Sequence, residues 1–186
     1  LIGACICIAA TGAEIKIAFS TLERVIGEQA FTDEGRRYVK GNRQTKCQFA
    51  YLEKPKIAGS GSQLVIHARF TGRSALNVLG QCVGVGDAFD LTIYATPKYL
   101  KGQVALDQLS IETARDSFYI RRVRAELARA LTKPFDYNLA DDVRRMFQLA
   151  PAGPNFQMRL DKFDVTGMRA AEDGVVLTVD FMVLVK

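Results

Sequence analysis

The amino-acid sequence predicts an α+β domain: a mostly antiparallel, strongly bent sheet, helices over one face and a C-terminal β-hairpin. Three observations lead there. Segments of period-two alternation recur along the chain, among them Cys47/Phe49/Tyr51, Leu64/Ile66/Ala68/Phe70 and Phe89/Leu91/Ile93/Ala95. Between and after them lie two stretches with helical stripes, Leu22/Val25/Ile26 and Ile120/Val123/Leu127/Leu131. No stretch repeats with a period of 20–50 residues and no interdomain linker stands out, so residues 13–186 read as a single domain.

In order, Ile15, Ile17 and Phe19 alternate with polar or small neighbours and predict a short strand. Ser20-Thr21-Leu22-Glu23 has the spacing of a capping box and opens a helix. Thr32 to Gly41 is polar and reads as turns. A strand from Cys47 is expected to stop near Pro55, and Gly59-Ser60-Gly61-Ser62 turns the chain into the strand Leu64–Phe70. Gly80, Gly84 and Gly86 read as a glycine-rich connection before the strand Phe89–Ala95. In the next strand the inward positions shift from Val104 and Leu106 to Leu109 and Ile111, which predicts a β-bulge near Asp107-Gln108. Residues 116–131 form an amphipathic helix that Pro134 ends, and Asn138 can cap a shorter one carrying Leu139, Val143, Met146 and Phe147. Phe156, Met158 and Leu160 against Val175 to Val183, joined at Glu172-Asp173-Gly174, make the final hairpin.

The first eleven residues carry no charge, although the chain has 25 Lys+Arg and 20 Asp+Glu. Residues 1–12 therefore read in two ways. One is the tail of an export signal, in which Leu1-Ile2-Gly3-Ala4-Cys5 fits the lipobox rule and Cys5 would receive lipid. The other is an N-terminal strand. Cys47 and Cys82 lie in the body of the chain. They can pair in an oxidising compartment or remain two free thiols.

The net charge is +5, and the segment Arg115–Lys133 alone contributes +4. Arg121, Arg122 and Arg124 stand opposite the apolar stripe there. Such a face is either solvated or suited to an anionic membrane surface or a partner protein. Nucleic acid is set aside, because no aromatic-rich basic strand accompanies these arginines. No enzyme is expected. His67 is the only histidine and has polar-face phase, there is no G-x-S-x-G, and Gly84-Val-Gly86-Asp87 lacks the rest of a dinucleotide loop. No metal is expected, since Cys5-Ile-Cys7 is too close for zinc and lacks a second ligand pair, while Asp141-Asp142 suits a helix start. No cofactor is implied.

With the order laid out, the chain resembles the YceB-type bacterial lipoproteins and, more distantly, the tubular lipid-binding (TULIP) superfamily. The likeness is carried by Ile17-Ala-Phe-Ser-Thr-Leu-Glu-Arg-Val-Ile26, by Leu64–Phe70, by Ala75-Leu-Asn-Val-Leu-Gly80 with Phe89–Tyr94, and by the helix Arg121–Leu131. It covers roughly residues 14–150, by order and pattern and not by any catalytic motif. The resemblance implies a highly curved sheet wrapped around a helix, with an apolar groove for an acyl chain or similar ligand, in a periplasmic protein tethered through an N-terminal lipid. On that basis the groove lining is expected at Leu22, Val25, Ile26, Ile66, Phe70, Phe89, Leu91, Ile93, Val123 and Leu127. The competing expectation is an envelope assembly module that binds a protein through a sheet edge or the arginine-rich helix.

Overall fold

The structure is a computed structural model that describes residues 6–100, 102–132, 141, 143–145 and 158–185. The element order is β1 (Ile6–Ala18), α1 (Phe19–Ala30), β2 (Arg36–Lys40), β3 (Gln48–Ser60), β4 (Gln63–Val78), β5 (Gln81–Leu100), β6 (Gln103–Thr113), α2 (Phe118–Leu131), β7 (Met158–Ala170) and β8 (Gly174–Val185). All pairings are antiparallel. They form two sheets, one ordered β1-β8-β7 and one β2-β3-β4-β5-β6. Strand dominates, and the expected mostly antiparallel architecture is divided between two sheets.

Several local expectations change. β1 starts at Ile6, so residues 6–12 lie in a strand that pairs with β8. Phe19 leaves that strand because its β8 partner runs out at Gly174, opposite Ala18, and the Phe19 N–H donates to the Asp173 carbonyl (3.2 Å). The capping box does not form. Ala18 occupies the cap position, and Glu23 reaches across to β3, where it accepts the Ile57 N–H at 2.7 Å. The glutamate thus clasps α1 to β3 and leaves its own helix end uncapped.

The stretch read as turns contains β2. Its pairing on β3 brings the Tyr38 and Tyr51 rings to 5.3 Å and lays Arg36 over Tyr51 at 4.9 Å. Pro55 does not end β3. A register shift between Glu53 and Lys56 accommodates it, with Lys54 at φ 55°. The glycine-rich connection is strand, since β4 and β5 pair without a shift from Leu64–Ala95 to Val78–Gln81. Gly84 permits this: a Cβ there would meet the Ala75 Cα at 2.5 Å. The bulge expected near Asp107-Gln108 is present as a register shift opposite Tyr94 and Thr96, with Gln108 at φ 49°. The C-terminal hairpin turns at 171–173.

α2 begins at Ser117, whose hydroxyl accepts the Ile120 N–H at 3.1 Å. Ile120, Leu127 and Leu131 are buried. Most of the shorter helix expected after Asn138 lies outside the described residues, as do Cys5, Pro134, Pro151, Pro154 and Phe156.

The core has two parts along the inner face of the five-stranded sheet. Leu52, Ala68, Phe70, Phe89, Leu91 and Ile93 pack under α2, together with Phe31. Toward the other end, Ile57, Leu64, Ala95 and Leu106 meet Phe163, Val175, Leu177 and Val179 of the second sheet, with Phe19 and Leu22 of α1 packed alongside. The two sheets come very close at Gly59, where a Cβ would stand 2.2 Å from the Ala171 carbonyl. Only glycine fits there.

Candidate functional site

Strand alternation puts Ile66, Ala68, Phe70 and Gly72 of β4 on the inner face, opposite Phe89, Leu91 and Ile93 of β5. Of the ten residues expected to line a groove, Phe70, Phe89, Leu91, Ile93 and Leu127 are buried together beneath α2, and Ile66, Val123 and Ile26 pack against them. Leu22 belongs to the other cluster, and Val25 of α1 is half-buried outside both.

Side chains pack together in this layer. Phe70 and Phe89 stand 5.0 Å apart, tilted by 33°. A cavity of about 560 Å³ lies on the opposite face of the sheet, lined by His67, Arg69, Asp90, Thr92 and Glu112 among others. It is an open surface hollow in which Arg69 pairs with Asp90 at 3.2 Å and His67 Nδ1 lies 3.1 Å from the Thr92 hydroxyl. A second cavity, about 110 Å³, sits beside Ser74, Ala75, Leu76 and Val83. Among the described residues the buried side chains are hydrophobic, with no polar or charged one. No group of three or more His, Cys, Asp or Glu there is placed to hold a metal ion. No described helix is long and apolar enough to cross a membrane, which says nothing of strands.

The three arginines differ in what they can offer. Arg121 and Arg124 both bind Asp116, at 2.9 and 3.0 Å. Arg122 is exposed and carries no ion pair among the described residues. The expected basic surface is thus partly neutralised by its own cap region. At the start of α2, the Tyr119 hydroxyl stands 3.1 Å from where a Cβ on Gly72 would lie. Burial, and then the nearby Asp87 carboxylate, push the Tyr119 phenol pKa up from its ordinary value. Asp87 in turn pairs with Arg115 at 3.1 Å.

Beyond Gly72 the same two strands run on as an arm. β3 pairs no further than Ser74, and β6 no further than Leu91, so the arm is two strands wide. A disulfide joins Cys47, just before β3, to Cys82 of β5, with Cα atoms 5.2 Å apart. The Ala75 N–H donates to the Cys47 carbonyl at 2.9 Å, and since Cys82 lies opposite Asn77 the bridge holds the segment before β3 against the outer part of the arm. Leu76, Val78, Val83 and Val85 share the face that Phe70 and Phe89 occupy further down, but nothing covers them: Leu76 is 67% exposed, and Val83 and Val85 60%. At the apex Leu79 is 100% exposed with φ 49°, followed by Gly80 at φ 84°. Two successive positive φ angles match the hairpin turn whose twist suits the flanking strands. A leucine in the first of these positions is strained by about 1–2 kcal/mol.

Reading Gly80–Gly86 as a connection missed this arm. The signal was present: residues 75–86 contain no charge, and valines alternate with glycines from Val83 to Gly86. Compared with known protein families, with characterised proteins and with solved structures, the chain matches none.

Proposed function

We propose that this chain is a noncatalytic protein of the bacterial envelope that takes up a lipid or another hydrophobic molecule between α2 and the inner face of the five-stranded sheet. The observation that carries this reading is the apolar layer of Ile93, Leu91, Phe89 and Phe70 beneath α2. Beyond it the Asp87–Arg115 pair and Ser74 interrupt the face before the uncovered Val85, Val83 and Leu76. A guest beneath α2 would meet aliphatic and aromatic surface, which favours apolar ligands by about 25 cal/mol per Å² buried. Uptake requires α2 to lift, because Val123 and Leu127 now fill the space.

A sheet curved around α2, as in the TULIP proteins, belongs to the same proposal. The register shifts near Lys54 and Gln108 are its support, since bulges add twist and bend. Envelope location is supported by the Cys47–Cys82 bridge, a bond that persists in oxidising compartments. Lipidation of Cys5 remains part of the proposal.

Native mass spectrometry and lipid extraction of protein purified from cells test it. A stoichiometric lipid adduct, lost when Val123 is replaced by Asp, is expected. Protein that carries no lipid and takes up no fluorescent fatty-acid analogue would remove the reading. The alternative is an assembly module, and it is favoured by the open edges of both sheets at β1, β2, β6 and β7. In-cell crosslinking that returned a stoichiometric protein partner on one of these strands would favour it instead.

A further inference from the structure

We infer that the β4–β5 arm is a membrane-surface anchor that seats Leu79 and its neighbours at the headgroup–acyl boundary of an anionic bilayer. The arm carries this by itself, whether or not the layer under α2 accepts a guest.

Exposure comes first. Leu79 is fully exposed at the apex, and Leu76, Val78, Val83 and Val85 follow it down one face at 49–67% exposure. Single exposed apolar residues are common, but five on one protruding hairpin form a patch that calls for a partner. The strain at the turn adds to this. A glycine at position 79 would relieve it, yet the position carries a large apolar side chain that touches nothing in the free protein. The disulfide ties the outer part of the arm, at Cys82 opposite Asn77, to the segment before β3.

Charge chooses the occupant. Residues 75–86 are uncharged. Below them stands Arg73, beside them Lys46 next to the Cys47–Cys82 bridge, both exposed and without an ion pair among the described residues, and at the arm's root Arg122, one helical turn beyond Tyr119. The acid nearest the tip in sequence, Asp87, is already held by Arg115. An apolar tip above unpaired cations complements a lipid surface, with acyl chains within and phosphates outside. A second copy docking its arm against this one would bring Arg73 and Lys46 toward the same residues of its partner, which like-charge repulsion opposes.

Depth follows from strand geometry. At about 3.3 Å per residue, Leu76 lies roughly 10 Å and Arg73 roughly 20 Å below the apex along the strand. Interfacial insertion of about 5–10 Å therefore takes in the turn and leaves the cations to reach the phosphates with their long side chains. The unpaired outer edges of both strands prevent deeper entry, because hydrocarbon tolerates no open sheet edge. The turn itself is closed, with the Gly80 N–H donating to the Asn77 side chain at 2.9 Å.

The chain contains no tryptophan, so Leu79→Trp places a single reporter at the apex and Thr92→Trp a control on the opposite, polar face. With vesicles of phosphatidylcholine containing 30% phosphatidylglycerol, the proposal expects a blue shift for Leu79→Trp and none for Thr92→Trp. Pure phosphatidylcholine vesicles should bind more weakly. Leu79→Asn, which tolerates positive φ and keeps the turn, should lower vesicle partitioning by roughly tenfold with unchanged circular dichroism. Arg73→Glu with Lys46→Glu should abolish the preference for phosphatidylglycerol. Absence of a shift with either vesicle overturns the inference, and so does partitioning of Leu79→Asn equal to the unsubstituted chain. A blue shift without vesicles, accompanied by a concentration-dependent dimer in sedimentation, also overturns it and makes the occupant a second copy.

Discussion

Phe70 and Leu76 lie on the same strand and the same face, six residues apart, paired in one unbroken register with Phe89 and Val83. Phe70 is 2% exposed and Leu76 67%. The root and the arm of this hairpin therefore differ in nothing that strand periodicity can express. The difference lies in what stands over them: α2 with Ile120 and Leu127 over the root, solvent over the arm. Apolar alternation marks surface that seeks cover, and only neighbouring elements decide whether it finds cover within the molecule.

The sharpest test of that contrast compares truncations at the two ends. Phe70→Ala should lower stability by about 3–5 kcal/mol in denaturant unfolding, through lost burial and an unfilled cavity. Leu76→Ala should stay within about 0.5 kcal/mol. A large loss at Leu76 would mean that the arm is covered after all. Next comes the staple between the two regions. Replacing Cys47 and Cys82 by Ser, or reducing the bridge, should cost about 2–4 kcal/mol. Hydrogen exchange should rise first in residues 75–86 while the root stays protected.

The cover has its own fastening, since Glu23 of α1 accepts the Ile57 N–H of β3 at 2.7 Å. Glu23→Ala leaves that half-buried donor without its acceptor and should lower stability by about 1–3 kcal/mol, read as a fall in Tm. The arm responds in the opposite direction at its apex. Leu79→Gly removes the positive-φ strain and no packing, so stability should rise by up to about 1 kcal/mol.

The smallest effect is electrostatic. Lys98 holds the Asp107 carboxyl below the usual carboxylate range, and Lys16 does the same to Asp173, chiefly by hydrogen bonding. Both folded-state values lie below the unfolded value of about 3.9. These pairs therefore contribute fully above that value, and the contribution is lost as pH falls through the lower, folded ones. Asp173→Asn should be measurably less stable than the unsubstituted chain at pH 7 and indistinguishable from it at strongly acidic pH. All four side chains are solvent-exposed, so the difference should be slight and should shrink with salt.

Much of the fold was legible along the chain. Alternation located the first half of β4, the second half of β5, β6 and the final hairpin, and a change of phase located the bulge at Gln108. The stripe of Ile120, Leu127 and Leu131 located α2. These succeed because each rests on local geometry, the period of two or 3.6 residues and one steric irregularity. The misreadings share a cause. Pro55 and the glycines 80, 84 and 86 are breakers in isolation, but here bulges and close strand approach accommodate them. Glu23 had the spacing of a cap and found a better donor 34 residues away. Most of the residues named as a groove lining share one packed layer with α2, whereas the uncovered hairpin beyond it was not legible.

By itself the sequence determined an antiparallel, strand-rich chain with two amphipathic helices, because backbone periodicity and steric preference act within a few residues. The tertiary structure alone decided which apolar faces are shared between elements, that β1 joins the C-terminal hairpin in a second sheet, and that one hairpin outruns its cover. Those outcomes depend on contacts between residues far apart in the chain, and burial is a property of such contacts and not of any residue alone.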